Sequence, residues 1–315
     1  MTKLDLDRPL PAVAARAPQT RPRWSPRRRR DFLVFLAMAL PNLALIAVFT
    51  YRPLLANLQY STLDWTLGAS TARVVGLGNY ADFFTSDDAP RVLGTTAAFT
   101  VLTVGLSMVL GLLVALALNS KVPGTVFARS AVFAPYVLSG VGVGLVWMFI
   151  FDPGYGVLAW MLRGLGQSSP QWFNDPQLAL AMVTIVYVWK NLGYCAVVYL
   201  AGLQSLPGDV MEAAQLDGAG AARRFWSVAL PLLSPTTFFL LITTILSSLQ
   251  AFDLIRIMTP LGSGTSTLIY EAYLQAFGAY NRAGYSAAIS VILFAILLIV
   301  TVVQIRFVER KVHYS

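Results

Sequence analysis

Hydrophobic residues make up 57% of this 315-residue chain, whereas only 12% of its residues are charged and its formal net charge is +8. An ordinary soluble domain carries about a quarter charged residues, so the composition excludes that class. The chain is therefore predicted to lie in a lipid bilayer.

Six apolar windows are long enough to cross a bilayer, because a helix needs about 20 consecutive apolar residues to span the hydrocarbon core. Only the fourth window contains a charged residue, Lys190. A β-barrel is excluded because its strands would alternate polar and apolar residues, which these windows do not. The sequence predicts an all-α polytopic membrane protein with six transmembrane helices in one domain over residues 31–315. The windows are residues 32–51, 92–118, 130–151, 178–203, 232–252 and 285–305.

Basic residues are concentrated before the first window, where residues 21–30 include six arginines. If the N-terminus is cytoplasmic, sixteen of the 23 basic residues fall on cytoplasmic segments and six on outer loops. By the positive-inside rule this distribution predicts that both termini are cytoplasmic. We interpret the arginine run as an orientation signal that contacts anionic lipid, in preference to a nucleic-acid site. Residues 1–30 are expected to form a disordered basic cytoplasmic tail.

Several kinds of chemistry lack the residues they would need. One cysteine, Cys195, and one histidine, His313, exclude an intrachain disulfide and a His/Cys metal cluster. Glutamate occurs only three times, so paired catalytic carboxylates are hard to assemble. No Gly-Lys dipeptide occurs, so the chain has no phosphate-binding loop of its own and any ATP energy must come from a partner. The glycines of residues 140–144 are interpreted as sites of close helix packing and not as a dinucleotide fingerprint.

Two loops carry clear local signals. Residues 52–91 are rich in turn formers and are predicted to form short helices on the outer membrane surface, where their tip can meet an external partner. Residues 152–177 begin with Asp-Pro-Gly, a turn signal, and end near Asn-Asp-Pro, which is expected to cap the fourth span.

A compact segment, residues 204–231, lies between the fourth and fifth windows and is called the elbow below. Pro207 suits the start of a short helix, because a proline in a first helical turn loses no hydrogen bond. Asp217 and Gly218 supply its stop, since glycine readily adopts the left-handed conformation that follows a helix. A second helix is predicted from there to Pro231. The alternative is an amphipathic linker that lies in the membrane interface.

The spacing of the Glu-Ala-Ala triplet, the Asp-Gly turn and the two following prolines resembles the EAA loop of binding-protein-dependent ABC importer permeases. The resemblance implies the type I importer permease fold, in which this short helix docks in a cleft of the ATP-binding subunit. By this resemblance Glu212 makes a polar contact with that subunit, and Ala213 and Ala214 allow a close fit. Asp217 and Gly218 form the turn.

The resemblance covers nearly the whole chain after the tail, in stretches such as VWKNLGY and TVVQIRFVERKV, and is to the carbohydrate-type permeases. It implies a bacterial cytoplasmic membrane and a non-enzymatic subunit that binds no cofactor. The implied partners are a second permease, a dimer of ATP-binding subunits that hold ATP and Mg, and an extracytoplasmic solute-binding protein. Among the carbohydrate-type permeases, the sequence resembles permeases of glycerol-phosphate importers, which implies sn-glycerol-3-phosphate or glycerophosphodiesters. A trehalose- or maltodextrin-like sugar is the alternative. Residues 252–264 lack the family's usual GGP, so the outer loop of residues 257–284 departs from the pattern.

Polar residues in the fourth and fifth windows predict a path for the solute. A charged residue in a span costs about 2.5–3.5 kcal/mol on insertion scales, so Lys190 is expected to face protein or water. Thr243, Ser247, Gln250 and Leu254 share one predicted helical face. The predicted path is lined by Lys190, Asn191, Tyr194, Ser247, Gln250 and Asp253, with Arg256 as a second cation near the outer end. The alternative is structural: the polar groups bond neighbouring helices, and Lys190 pairs with Asp253.

Two other functional classes fit the residues less well. An ion-coupled secondary transporter would need intramembrane acids, of which only Asp253 qualifies. A membrane enzyme that acts on lipids would need a cluster of catalytic acids or histidines at an interface, and no such cluster is visible.

Overall fold

The computed structural model describes residues 26–119, 124–260, 262, 264–278 and 280–308. It separates the chain into two compact units, Met1–Leu54 and Leu55–Ser315. Most of the predicted tail and the basic end of the chain, with His313, lie outside the described residues.

The first unit is helical throughout its described part. Helix α1 covers Pro26–Ile46, contains Pro41 in its interior and continues into a π-helical turn at Ala47–Tyr51. Its apolar side chains are largely exposed; Met38, for example, exposes 77% of its surface. A helix surrounded by lipid presents such a surface.

The second unit consists of helices and one two-stranded hairpin. Helix α2 (Arg52–Tyr60) crosses the boundary between the units. The remaining elements are β1 (Leu63–Asp64), β2 (Arg73–Val74), α3 (Gly78–Thr85), α4 (Ala89–Leu118), α5 (Thr125–Val137), α6 (Gly140–Phe151), α7 (Val157–Gly164), α8 (Pro176–Gln204), α9 (Gly208–Leu216), α10 (Ala221–Arg224), α11 (Leu230–Leu232), α12 (Ser234–Leu249), α13 (Asp253–Met258), α14 (Leu268–Phe277) and α15 (Ala283–Val303), with π-helical turns at Phe225–Ala229 and Gln304–Val308.

Five helical segments of the described residues are long and apolar enough to cross a membrane, and α5 with α6 makes a sixth if the pair counts as one span. The predicted all-α fold with six apolar spans is confirmed. The third span differs from the single helix expected, because α5 and α6 are bent by 97°. Leu138 and Ser139 are non-helical at the break. Pro135, which cannot donate a backbone hydrogen bond, lies just before it.

Helix α8 lies at the centre of the packing, where glycines let neighbouring backbones approach closely. A Cβ on Gly111 of α4 would lie 2.5 Å from the Cβ of Cys195 on α8. Gly193 of α8 faces the carbonyl oxygen of Val132 on α5, at a separation that leaves no room for a Cβ. A Cβ on Gly202 would lie 2.7 Å from the side-chain oxygen of Thr236, at the start of α12. Spans two, three and five therefore all pack on the fourth.

The loop of residues 52–91 forms short helices, as predicted, and also a hairpin that was not predicted. Its strands pair antiparallel, with Leu63 opposite Val74. The N–H of Gly284 donates to the carbonyl of Trp65 at 3.0 Å, and a Cβ on Gly284 would collide with the carbonyl of Leu63. The hairpin is thereby fastened to the start of α15.

Both local signals of residues 152–177 form as expected. Asp152 Oδ1 accepts hydrogen bonds from the N–H groups of Gly154 and Tyr155, at 2.8 and 2.7 Å. Asp175 caps α8 by accepting from the second and third residues after it, at 2.8 and 3.0 Å. These contacts fix where the fourth span begins.

The segment of residues 257–284, which lacks the GGP pattern, contains helix α14. Tyr270 of α14 donates its Oη to the carbonyl of Pro260 at 2.7 Å. The hydroxyls of Thr259 and Thr265 lie 2.6 Å apart, both on buried residues. Side-chain hydrogen bonds thus hold the turn between α13 and α14.

Candidate functional site

The elbow begins with α9, a short helix with a well-formed end. Gly218 has a φ of +76°. Its N–H donates to the carbonyl of Gln215 at 3.1 Å, and the N–H of Ala219 donates to that of Ala214 at 3.1 Å. These two bonds form a Schellman motif, which satisfies carbonyls that a helix end leaves free. The predicted stop at Asp217 and Gly218 is therefore present in the backbone.

The second half of the elbow runs from α10 through a π-helical turn to α11 and is braced against α9. Arg224 Nη1 donates to Gln215 Oε1 at 2.8 Å. The predicted second helix is present, but its middle is π-helical at Phe225–Ala229. The Arg224–Gln215 hydrogen bond joins the two halves of the elbow, and the Schellman motif fixes the turn between them.

The surface of the elbow is open within this chain. Glu212, Ala213, Asp217 and Gly218 are exposed, and Ala214 is half-buried. Leu216, which the sequence analysis did not select, exposes 88% of its surface, the same fraction as the most exposed apolar residues of the described chain. A large apolar side chain within a polar loop is the signal that would have found it, because exposed apolar groups mark interaction sites.

A polar cavity of about 270 Å³ lies between α8, the start of α6 and the junction of α12 with α13. Its size is close to the lower limit of small-molecule sites, which run from about 300 to 1,000 Å³. It brings together four residues of the predicted path, one pair from the fourth span and one from the fifth. The cavity is lined by Lys190, Asn191, Gln250 and Asp253, with Gly140 and Tyr187.

A narrow recess adjoins this cavity, since Tyr187 and Asn191 line both. Two further path residues, Tyr194 and Ser247, line the recess. Tyr194 Oη donates to Thr243 Oγ1 at 3.4 Å, a contact that joins α8 to α12. Three buried polar residues, Thr103, Ser107 and Thr244, also line the recess. Six of the seven predicted path residues therefore lie around two adjoining hollows.

Lys190 makes its contact with the end of α5. Its Nζ donates to the carbonyl of Tyr136 at 2.8 Å and lies 5.4 Å from the centre of the Tyr136 ring. The ring of Tyr136 in turn stacks on Tyr194, with centroids 4.9 Å apart. The salt bridges found among the described residues do not include a Lys190–Asp253 pair.

In the fifth span, Leu254 lines the polar cavity, whereas Arg256 lies elsewhere than the sequence predicted. Leu254 is 5% exposed and belongs to the core around Met182 and Met258. The helical face that ended on Leu254 is interrupted, because α12 ends at Leu249 and α13 starts at Asp253. Arg256 lines neither hollow; its guanidinium lies 4.9 Å from the ring centre of Tyr273. That distance permits a cation–π contact.

Three further residues line the hollows and were not predicted to do so: Tyr136, Tyr187 and Gly140. Pro135, with the Ser139-Gly140 dipeptide, was the available signal, because proline followed by a Ser-Gly pair indicates the end of a helix. An unbroken hydropathy window concealed that signal.

Metal ligands do not cluster in the part of the chain that the structure describes. No group of three or more His, Cys, Asp or Glu side chains lies together there in a way that could hold an ion. Cys195 is fully buried against α4 and α12.

Residues 107–314 match the family described as "binding-protein-dependent transport system inner membrane component". Among curated proteins, the chain is 37% identical to the sn-glycerol-3-phosphate transport system permease protein UgpA of Agrobacterium fabrum, over 90% of this chain and 97% of that one. It is also 37% identical to UgpA of Rhizobium meliloti, over 90% and 97% of the two chains.

Solved structures give the same fold. A chain of a bacterial ABC transporter involved in the import of the acidic polysaccharide alginate superposes with a TM-score of 0.79 at 22% identity, over 90% of this chain and 96% of that one. The alginate transporter in complex with its alginate pentasaccharide-bound periplasmic protein gives a TM-score of 0.75 at 23% identity, over 89% and 96%. At such identities the superposition establishes the architecture and not the cargo.

Proposed function

Because the chain belongs to the family of binding-protein-dependent transport system inner membrane components, we propose that it is the permease subunit of an ATP-driven importer for sn-glycerol-3-phosphate or glycerophosphodiesters. The observation that carries this proposal is 37% identity to permeases named for sn-glycerol-3-phosphate transport, over nearly the full length of both chains. The importer comprises this multi-pass membrane subunit, a second permease and a dimer of ATP-binding subunits. An extracytoplasmic binding protein delivers the solute.

The elbow is the part of the chain that receives force from the ATP-binding subunits, which hold ATP and Mg. Glu212 and Asp217 are exposed carboxylates that can make polar contacts with those subunits. The small side chains of Ala213 and Ala214 allow α9 to fit closely into a groove. The positive φ of Gly218 turns the chain back, so that α9 protrudes with Leu216 at its end. A rigid protruding helix moves as one body when the groove closes.

The polar cavity and its adjoining recess form part of the solute path. Asn191 and Gln250 offer amide donors and acceptors, Tyr194 and Ser247 offer hydroxyls, and Lys190 and Asp253 lie on the cavity wall. Alternating access then exposes these residues first to the binding protein and then to the cytoplasm. Arg256 acts through its packing on Tyr273 and not by lining the cavity.

The membrane orientation follows from the basic residues. We place both termini and the elbow in the cytoplasm of a bacterium, and the hairpin with α3 and α14 on the outer face. The elbow then faces the ATP-binding subunits, and the hairpin end faces the binding protein.

The proposal is tested by uptake into proteoliposomes that contain the complete importer, with binding protein and labelled sn-glycerol-3-phosphate outside and ATP inside. We expect uptake that requires ATP and the binding protein and that persists when ion gradients are dissipated. Saturable uptake of trehalose or maltodextrin in place of the phosphate compound would show that the chain is the permease of a sugar importer. Uptake that needs an ion gradient and no ATP would refute the importer mechanism itself.

The elbow is tested by charge reversal at Glu212. In Glu212→Arg, ATP hydrolysis stimulated by the loaded binding protein should fall together with uptake, or the two should become uncoupled. Asp87→Arg is the matched control, because it makes the same charge reversal at an exposed position outside the elbow. Equal loss in both variants, or none in either, would contradict the assignment of α9 as the docking helix.

A further inference from the structure

The two halves of the broken third span pack on different neighbours. Helix α5 lies on α8, where Gly193 faces the carbonyl of Val132 without room for a Cβ. Helix α6 lies on α13, where a Cβ on Gly144 would come within 2.9 Å of Ile257 Cγ2. Relative movement of α8 and α13 must therefore act on the break between α5 and α6.

Lys190 of α8 binds the free end of α5. The last carbonyl groups of a helix lack partners within it and carry partial negative charge. Lys190 Nζ donates to one of them, the carbonyl of Tyr136, one residue before the last of α5. Lys190 and Gly193, one turn apart on α8, thus hold α5 at two points one turn apart.

Asp253 occupies the corresponding place at the start of α6. Its carboxylate oxygen Oδ2 lies 3.4 Å from the position that a Cβ on Gly140 would take. Ser139, the residue before α6, makes no side-chain hydrogen bond that caps the helix. A helix N-terminus carries partial positive charge, so a carboxylate beside it is favourable. Asp253 and Lys190 face the same cavity but lie at helix ends of opposite sign.

We propose that Lys190 and Asp253 are positioning residues that fasten the two halves of the third span to the fourth and fifth spans, so that the bend sets the shape of the cavity during transport. The proposal rests on the proposed function, since it takes this cavity as part of the solute path. The charge of Lys190 is engaged by the protein in this conformation. Asn191 and Gln250, which carry no charge, are left as the groups on the cavity wall that contact the solute.

The charges separate this proposal from two others. If the two residues formed a direct ion pair, exchanging them in Lys190→Asp/Asp253→Lys would restore function. If each faces a helix end, the exchange places like charges together at both ends, and no rescue is expected. If Lys190 binds the phosphate group of the solute, its neutralisation should raise KM and leave the maximal rate nearly unchanged.

The bend can be measured directly. Val126 on α5 and Leu145 on α6 expose 74% and 57% of their surfaces and are suitable sites for paired spin labels, once the buried Cys195 is replaced by alanine. Distances between the labels are measured by pulsed electron paramagnetic resonance in the complete importer, with and without ATP. This readout needs no solute.

We expect Lys190→Gln and Asp253→Asn each to broaden the distance distribution and to lower the maximal uptake rate about tenfold with KM little changed. Lys190→Arg, which keeps the charge and the donor, should retain a narrow distribution and most of the rate. If Lys190→Gln fails to assemble with its partner subunits, Lys190→Arg must restore assembly.

Unchanged label distances in both neutral variants would overturn the proposal, as would rescue by the exchange of charges. A large rise in KM at constant maximal rate in Lys190→Gln would also overturn it and assign Lys190 to the phosphate group. Failure of the proposed function looks different, because the unmodified importer would then transport no sn-glycerol-3-phosphate while the label distances still responded to Lys190→Gln.

Discussion

The α-carbon of Gly193 on α8 lies against the carbonyl oxygen of Val132 on α5, at a separation that no other residue type could occupy. Gly193→Ala must push the two helices apart and should lower stability by about 1–3 kcal/mol, the usual cost of overpacking. The measurement is the thermal melting of the purified complex in detergent. Gly105→Ala on α4 is the control, because nothing lies within 4 Å of its added Cβ. An unaltered melting temperature in Gly193→Ala would contradict the close approach of these helices.

The elbow offers a test of backbone conformation alone. Gly218 has a φ of +76°, yet the space around an added Cβ is empty. Gly218→Ala should therefore cost about 1 kcal/mol through backbone strain only, and Gly218→Asn should cost less. Gly220→Ala is the matched control, since its φ is −63° and its surroundings are equally open. We expect lower coupling of ATP hydrolysis to uptake in Gly218→Ala and ordinary coupling in Gly220→Ala.

A buried hydrogen bond joins the second and fifth spans. The hydroxyls of Thr103 and Ser248 lie 2.8 Å apart. A double-mutant cycle with Thr103→Val and Ser248→Ala should give a coupling energy of about 0.6 kcal/mol, the average for polar contacts between membrane helices. Ser107→Ala, one turn along α4, should cost nothing, because the buried Ser107 hydroxyl has no partner among the described residues. A coupling energy of zero would mean that Thr103 and Ser248 do not bond each other.

The turn between α13 and α14 depends on one tyrosine hydroxyl. Tyr270→Phe removes the bond to Pro260 and should cost about 1 kcal/mol. It should also speed protease cleavage between residues 259 and 267. Tyr273→Phe is the control, since no hydrogen bond of the Tyr273 hydroxyl occurs within the described residues. Equal cleavage rates in the two variants would exclude a role for the Pro260 bond.

Burial raises the pKa of the Tyr270 phenol, and the nearby Tyr273 adds to the effect. The hydroxyl therefore remains a donor at neutral pH. Its contribution to stability is complete below the pKa of tyrosine in the unfolded chain, about 10, and is lost only as the pH rises through the higher pKa of the folded state. The difference in stability between the native chain and Tyr270→Phe should accordingly be constant from pH 6 to about pH 9.

Features that depend on local sequence could be predicted well. The stop at Gly218, the cap at Asp175 and the turn at Asp152 each need only a few neighbouring residues, and each is present in the structure. The grouping of Lys190 and Asn191 with Gln250 was also predicted, although Gln250 lies just after the end of α12 and not on a continuous helical face.

Features that depend on contacts between distant segments could not be predicted. Hydropathy counts residues 130–151 as one span, and no local rule states that Lys190, 54 residues beyond Tyr136, binds the end of its first half. The burial of Leu254 has a similar cause, since α12 ends at Leu249 and shifts the register of everything after it. Arg256 was assigned to the path by its charge alone, and its packing on Tyr273 is a property of the tertiary structure.

The break in the third span has a consequence for the solvation of the membrane midplane. At about 1.5 Å per residue, the 13 residues of α5 and the 12 of α6 give helices of about 20 and 18 Å, each too short for a hydrocarbon layer of about 30 Å. Near the middle of this apolar stretch, the N–H of Leu138 and the carbonyl of Ser139 are bonded within the chain, whereas no backbone partner within the described residues is found for the carbonyl of Leu138 or the N–H of Ser139. Lipid tails offer such groups nothing to bond, so bare hydrocarbon cannot lie against them. Another polypeptide segment or a water-filled channel must therefore contact the break at the level of the hydrocarbon layer. Lipid cannot surround the third span on all sides.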